Sequence, residues 1–167
     1  DLIGEATEYD KKQAVETKKP KSWCKSVSAF ANTSGGILIF GVADDGTVIG
    51  LADAERDAET ISEIIKNRLS PIPEFTLEFN TSKDEKKLII LRICKGEETP
   101  YYYFADGVTE AYIRIGNESV PADSTDLKRL VMRGKNTSFD SLVSTYDIGD
   151  YSLTQLKERS KIWTGRR

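Results

Sequence analysis

Histidine is missing from all 167 residues. That absence excludes Ser-His-Asp and Cys-His catalysis and the common histidine-containing zinc sites. Any chemistry must use carboxylates, lysines, tyrosines or a metal held by oxygens. Cysteine is scarce. Cys24 and Cys94 are the only two, and no CxxC metal motif is formed. Both sit inside apolar patterns, which predicts buried free thiols and a reducing, cytoplasmic setting. No apolar run approaches a membrane span, and no signal-peptide pattern opens the chain, so no membrane partner is expected. A Walker phosphate loop is absent, because no Lys-Ser/Thr pair follows the one Gly-Gly step before a helix. There is no internal repeat and no low-complexity tract. A large net charge is lacking too: the balance is −3, which by itself does not point to nucleic acid.

What is present suits a globular chain: 38% of residues are hydrophobic and 31% charged, so a core can form. The length allows one sizeable domain and an appendage. The chain is organised around residues 28–46. Trp23, Val27, Phe30 and Ala31 stand at i, i+4, i+7 and i+8, one apolar helical face. Pro20 suits the first turn of that helix. Gly35-Gly36 ends it and lets a backbone turn pass close to a neighbouring strand. Ile37 to Val42 is an unbroken apolar run, as in a strand buried on both faces. Asp44-Asp45-Gly46 reads as a tight turn, and Thr47 to Leu51 as the returning arm of a hairpin.

On either side the pattern continues. Glu5 to Tyr9 reads as a short strand or arm, and residues 10–19 as a charged loop. Asp53 is a good N-cap. Ala54, Ala58, Ile61, Ile65 and Leu69 form one helical stripe, closed by Ser70-Pro71. Phe75, Leu77 and Phe79 alternate as in a half-wet strand, and Leu88 to Ile93 reads as a central strand. The aromatics at Tyr101 to Phe104 predict a strand alternating between core and surface; the alternative is a platform for stacked bases. Arg114 stands opposite Ile113 and Ile115 in another strand. Asp123 caps a last helix on Leu127, Leu130 and Val131, with Gly134 ending it. Residues 135–151 read as a linker, and Ser152 to Gln155 as a capping box opening a further helical region at 152–167. The absence of an initial Met and the close at Arg166-Arg167 suggest a segment of a longer protein. Helices alternate with strands and hairpins, so the expected class is α/β (α+β), a mixed β-sheet with helices packed on it.

Charge is distributed more tellingly than it sums. Lys11, Lys12, Lys18, Lys19, Lys21 and Lys25 crowd one segment, and Lys157, Arg159, Lys161, Arg166 and Arg167 the other end. Such clusters are either solvated faces or phosphate-contacting surfaces.

The run Ala29-Phe30-x-Asn32-x-x-Gly35-Gly36, the apolar strand, Gly41-Val42, the acidic turn and Val48-x-Gly50-Leu51 together resemble the signature of the Schlafen-like, AlbA-type DNA-binding domain family. Ser70-Pro71, Ala111-Tyr112-Ile113-Arg114-Ile115-Gly116 and Val120-Pro121-Ala122 match in order, so the resemblance spans Leu2 to Arg133 and residues 1–134 form the expected domain. It implies a nucleic-acid-binding module, DNA first, of a bacterial transcription regulator. The six N-terminal lysines would then contact phosphate, without a cofactor. It also implies pairing with a second copy, since Schlafen-like proteins resemble two such lobes in one chain. Schlafen-type ribonucleases offer an alternative: two glutamates in the N-terminal strand and an aspartate after Gly-Val, holding a divalent metal. The similar positions here are Glu5, Glu8 and Asp44 or Asp45. The family's Glu-(Phe/Tyr)-Lys is Glu8-Tyr9-Asp10 in this chain, and the gap between Glu5 and Glu8 is shorter than the nuclease spacing. A structural or ligand-sensing module is the third option.

Overall fold

A computed structural model describes residues 8–147, with side chains to residue 136. The order is β1 (Tyr9–Lys12), α1 (Lys21–Asn32), β2 (Gly36–Phe40), α2 (Ala54–Arg68), β3 (Leu69–Ser70), β4 (Phe75–Thr81), β5 (Lys87–Ile93), β6 (Tyr102–Ala105), β7 (Val108–Ile115), β8 (Glu118–Pro121) and α3 (Ser124–Asp147). The first sheet runs β1-β2-β5-β4 and the second β3-β6-β7-β8. Only β1 and β2 pair in parallel; the other ladders are antiparallel. The α+β class with mixed sheets is as expected.

Helix α1 meets strands of both sheets, which explains its composition. Trp23, Val27 and Phe30 are fully buried in the core with Leu38, Phe40, Ile89 and Leu91 of the first sheet and Ile61 and Ile65 of α2. Trp23 meets Phe40 edge-on, ring centroids 5.6 Å apart. α1 also buries small and polar residues, Ser26, Ser28 and Asn32. Ser28 and Asn32 answer the main chain of the second sheet. Asn32 donates to the carbonyls of Tyr101 (3.0 Å) and Tyr112 (2.8 Å), and accepts from the Tyr101 N–H (2.7 Å). Ser28 donates to the Tyr101 carbonyl and accepts from the Tyr112 N–H.

The glycine pair works as the sequence suggests. Gly35 takes φ +78°, its N–H bonds the Phe30 carbonyl, and a Cβ there would stand 2.8 Å from the Ile93 carbonyl. At Gly36 a Cβ would strike the Phe30 ring. Asp53 caps α2 by accepting from the Arg56 N–H. Tyr101 and Tyr103 are buried and Phe104 is exposed, so the aromatic run alternates between core and surface.

Four expectations are corrected. The charged segment is no loop throughout, because β1 extends to Lys12 against Phe40. The returning arm at Thr47 to Leu51 forms only the single bridge Val42–Val48, not a full hairpin. Cys24 is buried, and burial pushes its thiol well up, but Cys94 is exposed one residue past β5. Gly134 does not end the last helix, which runs to Asp147 and takes in residues 135–147 of the expected linker. Gly134 has a different use: a Cβ would crowd the Thr99 carbonyl, so only glycine lets α3 lie so close. The Thr99 hydroxyl bonds the Leu130 carbonyl, and Arg133 reaches the carbonyls of Asn32 and Gly96. No helix among the described residues is long and apolar enough to cross a membrane. Residues 152–167 lie outside the described residues.

Candidate nucleic-acid interface

β1 is an edge strand of the first sheet and β8 of the second. Between them runs an open groove of about 820 Å³. β1 lines it with Tyr9 to Lys12, α1 with Lys25 and Ser26, and the β7–β8 hairpin with Arg114 and Asn117 to Ser119. The Glu8 and Lys12 carbonyls accept from Ile37 and Gly41. By strand alternation the main-chain groups of Tyr9 and Lys11 therefore face away from β2, towards the groove.

Its inner wall is a charged network. Arg114 donates through both terminal nitrogens to Asp10, at 2.6 Å to Oδ1 and 3.0 Å to Oδ2, and also to the Ser119 hydroxyl at 2.8 Å. Ser26 of α1 donates to Asp10 at 2.7 Å. The guanidinium also lies over the Phe30 ring, 4.9 Å from its centroid. Burial opposes ionisation of Asp10, but its hydrogen bonds to Arg114 and Ser26 and the charges of Arg114 and Lys12 prevail, holding its carboxyl below the usual value. The network ties β1, α1, β7 and β8 together, so it fixes the groove's shape.

The six lysines divide. Lys11, Lys12 and Lys25 line the groove, whereas Lys18, Lys19 and Lys21 are exposed away from its lining. Lys12 donates to the Ser22 carbonyl, and Lys11 stands 5.8 Å from the centroid of the exposed Tyr9 ring. Glu8, Asp44 and Glu118 line the groove as well, so it is not uniformly basic.

The acids of the nuclease alternative are spread out. Glu8 precedes β1 and Asp44 follows β2, so their main chains lie at opposite ends of a four-residue ladder, about 13 Å by strand rise. Asp45 is a turn residue: Thr47 hydrogen-bonds its carboxylate and keeps it below the usual range. Among the described residues no group of three or more His, Cys, Asp or Glu is placed to hold a metal ion. Glu5 lies outside the described residues.

Reading the sequence missed Asp10, Ser26 and Ser119. A lone Arg in an apolar strand, Ile113-Arg114-Ile115, signals a buried partner, but nothing local says that the partner lies a hundred residues earlier. Asn32 was visible as part of the Ala29-Phe30-x-Asn32-x-x-Gly35-Gly36 signature, but its bonds to Tyr101 and Tyr112 were not.

The model of the family described as Schlafen, AlbA_2 matches residues 5–123. The chain belongs to that family. The Schlafen AlbA_2 match takes in β1 through β8, hence all the elements that line the groove, and stops where α3 begins. Among solved structures this Schlafen AlbA_2 chain is similar to the N-terminal domain of an ATP-dependent DNA helicase RecG-related protein from Nitrosomonas europaea. The identity is 23%, over 70% of this chain and 83% of that one, with a TM-score of 0.49. A likeness of that size leaves function open.

Proposed function

We propose that the groove binds the phosphodiester backbone of nucleic acid, DNA first, as the binding module of a bacterial transcription regulator. The supporting observation is that Lys11, Lys12 and Lys25, from two separate elements, line one groove with Arg114. Lysines so placed contact phosphate and position a strand without reading bases. No cofactor is needed. In the same proposal residues 1–134 are the binding domain, the protein is cytoplasmic, and sequence choice comes from the helical region beginning at 152. The active form is a homodimer, supported by Phe104 and Ile115, exposed on the outer face of the second sheet.

A fluorescence titration with a labelled DNA duplex tests the proposal at two salt concentrations. The expected dissociation constant is about 10⁻⁴–10⁻⁶ M, weakening steeply with salt. No binding at low salt would overturn it. Incubation with structured RNA and Mg²⁺ or Mn²⁺ checks the ribonuclease alternative, and cleavage abolished in Glu8→Gln would replace binding by catalysis.

A further inference from the structure

Among the described residues one guanidinium nitrogen of Arg114 makes no hydrogen bond. Its side chain is only 4% exposed, and its terminal nitrogens are engaged by Asp10 and Ser119. The Nε–H is buried and has no hydrogen-bond acceptor among the described residues. A charged donor left in that state is costly, so the arrangement asks for a ligand. The Oε2 atom of Glu8 stands 3.8 Å from it, too far for a hydrogen bond.

The two partners differ in freedom. Arg114 is fixed by Asp10 on one side and the Phe30 ring beneath it. Glu8 is 45% exposed at the side chain, and among the described residues its one ionic contact is this long pair. If anything yields to an incoming group, it is Glu8. Lys12 lies on the same face of β1 as Glu8, four residues on, and Lys25 of α1 also lines the groove. An anion entering between them meets Arg114 Nε as its innermost donor. A phosphate oxygen suits that donor, since charge-assisted bonds from guanidinium to phosphate are among the stronger ones.

We propose that Arg114 Nε is a phosphate-binding donor and that Glu8 is its gate, standing before it in the free protein and displaced by a backbone phosphate of the bound strand. This rests on the nucleic-acid function proposed above. It makes Glu8 a competitor of the ligand, the reverse of its role in a metal-dependent nuclease, where losing the carboxylate would remove a metal ligand.

The test compares Glu8→Gln with Glu118→Gln, which removes the same charge from another part of the groove. With a fluorescein-labelled DNA duplex at low salt, Glu8→Gln should tighten binding about fivefold and Glu118→Gln less than about twofold. Equal gains would mean general electrostatics, and weaker binding by Glu8→Gln would mean that Glu8 helps the ligand; either overturns the gate. If the wild-type protein binds no duplex at all, the nucleic-acid proposal fails, but the donor is still testable. Inorganic phosphate is then titrated while the NMR signal of the Arg114 Nε–H is followed. That signal should move, and saturate at lower phosphate in Glu8→Gln. A signal unmoved in both proteins would overturn the site.

Discussion

Helix α1 carries two polar networks that differ in one respect. At its C-terminal end Ser28 and Asn32 meet the main chain of Tyr101 and Tyr112, and every polar atom of the pair is matched in a dry setting. Two residues before Ser28, Ser26 joins Asp10, Arg114 and Ser119, and there Arg114 Nε is left unmatched beside an open groove. A closed network of neutral groups specifies how two sheets dock on one helix. A charged network with an unpaired guanidinium nitrogen beside an open groove keeps a donor that a ligand can still match. Burial alone would have grouped the two; what separates them is the balance of donors and acceptors.

The sharpest way to break that comparison is to remove one residue from each network. Asn32→Ala leaves the Tyr101 N–H and the Tyr112 carbonyl buried without partners, and should cost about 4 kcal/mol. Ser26→Ala leaves Asp10 held by Arg114 and should cost about 1 kcal/mol. Urea unfolding with unchanged m-values measures both. Equal costs would show that the groove network is as structural as the other.

The parts of the fold legible in the sequence were those set by local geometry. Gly35-Gly36 announced a close turn, Asp53 a cap, and Ala54 to Ile65 a buried stripe, because backbone angles and helical period act within a few residues. Gly134 misled for the same reason. Its signal is the local one for a helix end, while its cause is the Thr99 carbonyl on another element. The division of the lysines was likewise hidden. Six of them crowd the same stretch of sequence, but Lys25 lines the groove and Lys21, one turn nearer the start of α1, does not. Asp10 read as a departure from the family's lysine; in the structure it is the partner of the lone Arg in β7. Pairings made across ninety or a hundred residues leave no periodic trace, so the network could be found only by geometry.

Acidification should separate the two networks next. The folded-state pKa of Asp10 lies below its ordinary value of 3.8. As pH falls, the unfolded chain therefore takes up this proton first. The stability contributed by the Asp10 carboxylate is complete above the unfolded value and is lost as pH falls through the lower folded one. Ser28 and Asn32 do not titrate. Wild-type protein should thus lose more stability than Asp10→Asn between about pH 5 and pH 2. Thermal melts across that range check it, and parallel curves for the two proteins would show that the Asp10–Arg114 pair contributes no pH dependence.

The smallest effect concerns the lysines, and it decides whether the groove or mere basicity attracts nucleic acid. Two triple variants remove the same charge from the same stretch of chain. One changes Lys11, Lys12 and Lys25 to Ala, the other Lys18, Lys19 and Lys21. Long-range attraction follows the total charge and would weaken equally in both. Direct neutralisation of phosphates releases counterions, and the salt slope changes by about 0.9 for each phosphate no longer neutralised. The groove variant should therefore flatten the slope of log K against log salt by about 2–3, and the loop variant by less than about 1. Lys12 also bonds the Ser22 carbonyl, so a melt of the groove variant must first show that α1 is intact. A folded groove variant with an unaltered slope would take phosphate binding away from the groove. Equal flattening in both variants would spread the binding over all six lysines and leave Arg114 as the only feature that singles out this edge of the fold.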